Sequence, residues 1–216
     1  MAKSGRASKP GKATGVNATR TALIEAAIES LRYDGFARAS ARTIAARAEA
    51  NQSLVFYHFG SVADLLLAAL DEVSTRRLQR YSAAIDGAST PADLVAAATQ
   101  IFREDLDEGY VTVLVEMIAG AASSPGLGEQ VAARIAPWRS FAERVIQAAL
   151  AESPFGALVP VDSAAYAVVA LYLGLEMLSH LDGDRAPALA LFDQASRLAV
   201  LFAGTSDPSS NPKEAT

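Results

Sequence analysis

The nine residues Asn51-Gln52-Ser53-Leu54-Val55-Phe56-Tyr57-His58-Phe59 combine side chains that can read a nucleic-acid surface. The Gln52 carboxamide can bond an adenine edge, and Phe56, one helical turn on, can meet a thymine methyl. Ser53 is small and lets a backbone come close. His58 can bond a phosphate; Tyr57 can do so or support the fold. Val55 and Phe59 fall on the other side and read as a packed underside. The plainer alternative for Phe56 and Tyr57 is ordinary core packing.

Such a helix needs a scaffold. From Thr19, Leu23, Ile24, Ala27, Ile28 and Leu31 form one apolar stripe, stopped by Asp34-Gly35. Ser40 can cap a second helix with Ile44, Ala45 and Ala48 inward, and Asn51 a third that Gly60 stops. Ser61-Val62-Ala63-Asp64 resembles a capping box opening a longer helix. Thr90-Pro91-Ala92-Asp93 and Ser124-Pro125 read as further helix starts. Pro137 should kink or split the helix around it. Pro160-Val161-Asp162 opens the most apolar helix, ending near Asp182-Gly183, and its run Ala164 to Leu175 reads as buried. Asp184 can cap the last helix, Arg185 to about Ala203. No convincing strand run appears, so the expected class is all-α.

Charge is unevenly spread. Residues 1–60 hold nine Lys/Arg against four Asp/Glu, the remainder ten against twenty, within a net charge of −5. A basic N-terminal segment on an acidic body fits a local polyanion contact. The chain has no Cys and two His, which excludes disulfides and thiolate metal sites and leaves no metal or cofactor to expect. No phosphate-cradling glycine loop or nucleophile elbow is present, and Glu104/Glu108 read as a solvated charged pair, so no catalytic residue is assigned. No apolar run follows the N-terminal Lys and Arg residues, giving a cytoplasmic expectation without membrane attachment.

From Thr19 to about Leu67 the sequence resembles the DNA-binding domain of the TetR family. The resemblance rests on Ala26-Ala27, Gly35-Phe36, Arg42-Thr43-Ile44-Ala45, Val55-Phe56-Tyr57-His58-Phe59-Gly60-Ser61 and Asp64-Leu65-Leu66. It implies a helix-turn-helix in which Arg42, Gln52, Ser53, Phe56, Tyr57 and His58 meet the DNA; Thr43 and Asn51 complete the expected DNA-binding set. It also implies a homodimer on a near-palindromic stretch of double-stranded DNA. Three positions depart from the pattern. Glu49 stands where the family has a turn glycine, Ala39 where it has Thr, and Val62 where it has Lys. Arg38, Arg47 and the basic arm are candidates to offset the missing phosphate contact.

The expected organisation is a disordered basic arm (1–17), a three-helix DNA-binding domain (18–62), a helical ligand-binding and dimerisation domain (63–203) and a disordered tail (204–216). Leu171, Leu175, Leu178, Leu181, Leu191, Leu198 and Leu201 give more apolar surface than one protomer needs. Such domains in the family commonly enclose a small-molecule effector, here with Phe102, Tyr110, Met117, Trp138, Phe141, Tyr172, Glu176 and His180 as lining. Glu176 and His180, four apart, share a face and can bond a ligand, each other or a dimer partner. The function expected is a transcriptional repressor released by a largely apolar ligand. The alternatives are an activator of the same fold and an apolar-ligand carrier that has lost DNA affinity.

Overall fold

The computed structural model describes residues 12–151 and 156–204. Ten α-helices follow one another, and no strand occurs among the described residues. They are α1 (Lys12–Tyr33), α2 (Ala41–Arg47), α3 (Ser53–Phe59), α4 (Val62–Asp86), α5 (Pro91–Glu108), α6 (Tyr110–Ala121), α7 (Leu127–Ala133), α8 (Ala136–Leu150), α9 (Val161–Asp182) and α10 (Ala186–Gly204), with 3-10 turns at Phe36–Arg38 and Gly156–Leu158.

Two compact units result. The first holds the described residues up to Val73 together with Thr112–Arg134; the second holds Ser74–Val111 and the described residues from Ile135 on. The division therefore falls inside α4, beyond the 62/63 boundary expected from the sequence, and most of α6 and all of α7 group with the first unit. Sequence cues mark where a helix breaks, whereas units are defined by which apolar faces meet.

In the first unit, the α1 stripe Leu23, Ile24, Ala27, Ile28 and Leu31 is buried. It packs on α2, whose inward Ile44 and Ala45 are buried as well. Leu65, Leu66, Leu67 and Leu70 of α4 and Val113 and Met117 of α6 complete this core. Arg134, just past α7, ties back to Asp71 of α4 by two N···O contacts of 2.8 and 3.0 Å. α1 begins at Lys12, so residues 12–17 are helical, in contrast to the disordered arm expected there. Residues 1–11, and the expected tail beyond Gly204, lie outside the described residues.

The connection after α1 docks on α6. Gly35 takes a φ of 80°, which a side chain disfavours. The Phe36 N–H donates to Glu116 Oε2 at 2.7 Å. The Phe36 ring sits where Gly120 has no side chain: a Cβ there would lie 2.4 Å from ring carbons.

In the second unit, α5 opens with the anticipated cap: Thr90 Oγ1 accepts from Asp93 N, and Asp93 accepts from Thr90 N. α5 packs on α9 and α10, and α8 packs on α9. Pro137 lies in the first turn of α8, separating it from α7 as expected. Ser124-Pro125 behaves differently. Gly126, with φ 78°, precedes α7 in place of a Ser cap, and Leu127 N bonds Ser124 O in a turn. Gly183 closes α9 in the left-handed region, and Asp184 Oδ1 accepts from Ala186 N at the start of α10. α9 is mostly exposed within its own chain rather than buried: Leu171, Leu178 and Leu181 are each more than half exposed.

Candidate nucleic-acid interface

α2 is held at its start by a reciprocal cap. Ser40 Oγ accepts from Thr43 N, and Thr43 Oγ1 accepts from Ser40 N. Thr43 Oγ1 also donates to the Arg38 carbonyl at 2.9 Å, so this hydroxyl is engaged inside the protein. Sequence reasoning found the Ser40 cap and missed its partner, which the Ser-x-x-Thr spacing offers as a weaker form of the usual Ser-x-x-Glu signal.

The turn into α3 is a Schellman motif. Ala50 N bonds Ala45 O and Glu49 N bonds Ala46 O. That geometry places Glu49 at φ 50°, the one positive-φ non-glycine among the described residues. Asn51 then caps α3, its Oδ1 accepting from both Ser53 N and Ser53 Oγ at 2.9 Å. Gln52 already has helical dihedrals, so Asn51 is the functional cap one residue ahead of the assigned start.

With both ends fixed, α3 buries Val55 completely and turns Gln52, Ser53, Phe56 and Tyr57 outward. Phe56 is 49% and Tyr57 74% exposed, which no packing role accounts for. His58 is half-buried, edge-on to Tyr57 with ring centroids 5.0 Å apart. Phe59 is half-buried rather than core, with the Arg20 guanidinium 5.1 Å from its ring centre. Arg42 is exposed in the first turn of α2, and Arg38 is exposed beside it. Arg47 is engaged differently from expectation: Asp34 at 2.7 Å and Glu29 at 3.3 Å hold it. It is a poor substitute for the phosphate contact that Val62 lacks.

The residues expected to line a ligand cavity divide. Phe102, Trp138, Phe141, Tyr172 and Glu176 meet in the second unit around Tyr81 and Arg77. Trp138 Nε1 donates to Ser74 Oγ at 2.8 Å, and its ring lies 4.9 Å from the Arg77 guanidinium. Glu176 is fully buried and bonded to Arg77, not paired with His180, which is exposed. The two share a helix, but 100° per residue sets positions four apart about 40° out of line, enough to leave one inside and one outside. Tyr110 is half-buried beside Arg80, and Met117 belongs to the first unit's core. An open groove along α4, lined by Thr75, Leu78, Gln79, Ser82, Ala83 and Asp86, contains none of the expected residues.

The family model for bacterial regulatory proteins of the tetR family matches residues 23–69, the span that contains this scaffold and its exposed helix. This segment of the chain is of the tetR type. An HTH-type transcriptional repressor of Mycobacterium tuberculosis is 34% identical over 101 residues, covering 45% of this chain and 51% of that protein. The chain spans about half the length of the curated relatives it matches. A tetR-family member from Streptomyces coelicolor has 27% identity, 82% of this chain and 97% of its own covered, and a TM-score of 0.62. The regulator FadR of Bacillus subtilis, solved with stearoyl-CoA, shares the fold at 14% identity, 83% and 97% coverage and a TM-score of 0.68.

Within the tetR pattern, the glycine position after α2 is the one this chain fills with Glu49. An L-residue in the left-handed region costs about 1 kcal/mol or more. We therefore expect Glu49→Gly to raise unfolding stability by ~0.5–1 kcal/mol, since added unfolded-state entropy offsets part of the gain. Chemical denaturation measures this. Unchanged stability would show that the turn carries no strain.

Proposed function

We propose that the protein is a sequence-specific, DNA-binding transcriptional regulator that acts as a homodimer on a near-palindromic operator. The observation that carries this reading is the outward face of α3: Gln52, Ser53, Phe56 and Tyr57 are exposed on a helix whose ends are capped and whose underside is buried. A major groove admits one such helix. Gln52 reads a base edge, Phe56 touches an apolar base surface, and Arg42, Tyr57 and His58 approach phosphates. Thr43, Asn51 and Ser53 act mainly by holding the two helix starts, which their hydrogen bonds support.

A second copy supplies the second reading helix. Leu171, Leu178 and Leu181 of α9 with Leu191 and Leu198 of α10 are exposed and apolar, the surface a two-fold partner would cover. α9 is also long and apolar enough to cross a membrane. Burial of its Glu176 against Arg77, with leucines on another face, favours packing against protein. In the dimer the reading helices must meet successive major grooves ~34–36 Å apart. The repressor name of the Mycobacterium tuberculosis relative supports repression here, and stearoyl-CoA in the Bacillus subtilis regulator supports a largely apolar effector. Such an effector acts by favouring a dimer whose helices miss that spacing, with a coupling of ~1–3 kcal/mol. Binding to chromosomal DNA places the protein in the cytoplasm.

Selection of bound sequences from random duplexes at moderate salt tests the reading. An enriched inverted repeat is expected, with affinity falling steeply as salt rises. A folded dimer that enriches nothing would refute it. On the selected site, Gln52→Ala should relax preference at one base pair per half-site and cost ~1–3 kcal/mol, while His58→Ala should weaken all sites about equally. Binding profiles of the two variants decide it: an unaltered Gln52→Ala profile removes Gln52 from base reading.

A further inference from the structure

We propose that Asp105 and Glu176 form a buried acid–carboxylate pair sharing one proton between Glu176 Oε2 and Asp105 Oδ1, and that loss of this proton weakens the packing of α4, α5 and α9 in the second unit. Asp105 Oδ2 accepts from Arg77 Nε at 3.1 Å, Arg77 Nη2 at 2.6 Å and Tyr81 Oη at 2.7 Å, with Tyr172 Oη at 3.3 Å. Glu176 Oε1 accepts from the same Nη2 at 2.6 Å. The other oxygen of each carboxyl, Asp105 Oδ1 and Glu176 Oε2, is buried without a hydrogen-bond donor. Two orphaned acceptors on neighbouring carboxyls held by one nitrogen are both satisfied by a single proton.

Charge requires the same thing. The two side chains are 1% and 0% exposed and face one guanidinium, so with both ionised the cluster buries an unbalanced negative charge. Protonating one carboxyl makes it neutral. Burial, reinforced by Asp105 and opposed by Arg77, pushes the Glu176 carboxyl up to about 7. The groups facing it are Arg77 and Tyr81 of α4, Asp105 of α5 and Tyr172 of α9 itself. Burial pushes both tyrosine hydroxyls up, so they stay neutral donors. α8 adds the uncharged Trp138 ring over Arg77, and α10 adds Phe192 against Phe102. The proton belongs to the pair, so its titration is that of the pair.

A carboxyl raised in the folded state lends stability that is complete below its unfolded value near 4.5 and is lost as pH rises through about 7. The Glu176→Gln variant keeps the shape and supplies a fixed N–H donor, which removes this dependence. Between pH 5 and pH 8 the wild-type unfolding midpoint should drop by roughly 5–10 °C more than that of Glu176→Gln. Infrared titration of the full chain in D2O should show a protonated-carboxyl band that disappears near neutral pH and is missing from the variant. The histidines have no such band. Parallel pH slopes in the two proteins would overturn the proposal. So would a wild-type spectrum in which every carboxyl is ionised by pH 5.5, a result that needs no folded variant.

Discussion

Arg77→Met should destabilise the protein by about 3–5 kcal/mol, the largest single-residue effect expected outside the apolar core. Arg77 is 5% exposed and is the shared cation of Asp105 and Glu176. Met fills most of the same volume, so the loss is electrostatic rather than a cavity. Removing the guanidinium leaves two carboxyls among aromatic rings with only tyrosine hydroxyls as donors. Arg77 opposes the burial that raises the Glu176 carboxyl, so without it Glu176 favours protonation more strongly and acidification should return part of the lost stability. Denaturant unfolding at pH 5 and pH 8 measures both effects. A loss under ~1 kcal/mol at pH 8 would mean that water reaches the cluster and screens it. Replacing all three charged residues together by apolar ones should cost far less than Arg77→Met alone, because a buried ion pair contributes little beyond the desolvation it offsets.

That cluster also marks the limit of what could be read from the sequence. Signals carried within four residues were legible: Ser40 and Asn51 as caps, Thr90 with Asp93, Pro137 as a break, Gly183 as a stop. The outward face of α3 was legible for the same reason, since helical spacing alone puts Val55 opposite Gln52 and Phe56. Arg77, Asp105 and Glu176 lie 28 and 99 positions apart where they bond, and nothing local links them. Glu176 stands out as a charge on an apolar helix, but local spacing offers it only His180, a ligand or a dimer partner, whereas Arg77 lies 99 positions away. Arg47 failed similarly: its spacing offered a phosphate contact, while Asp34 and Glu29 were brought to it by the packing of α2 on α1. In α9 the run Ala164 to Leu175 reads as buried while Leu171, Leu178 and Leu181 read as surplus apolar surface, because an apolar run is equally consistent with burial in one chain or against a second copy.

The same distinction between local and distant signals makes Gly120 informative. In a helix, Gly→Ala usually gains up to ~1 kcal/mol. At Gly120 a Cβ would stand 2.4 Å from the Phe36 ring, far inside contact distance. The ring cannot retreat freely, because the Phe36 N–H is held by Glu116 and Gly35 before it is fixed in the left-handed region. Gly120→Leu should therefore cost about 3 kcal/mol, at the upper end of overpacking. Phe36→Ala alone should also destabilise, by lost contacts. Combined with Gly120→Leu it opens the space the new side chain needs, so the double variant should be more stable than the summed losses imply by 1 kcal/mol or more. Simple additivity would show that the two residues do not meet in solution. The functional consequence runs along the backbone: Phe36 begins the turn that ends at Arg38, whose carbonyl accepts from Thr43 in the cap of α2. Displacing that turn loosens the start of α2, and with it Arg42. Gly120→Leu should thus weaken binding to the selected operator even at temperatures where the variant remains folded, and the Phe36→Ala background should reduce that added loss.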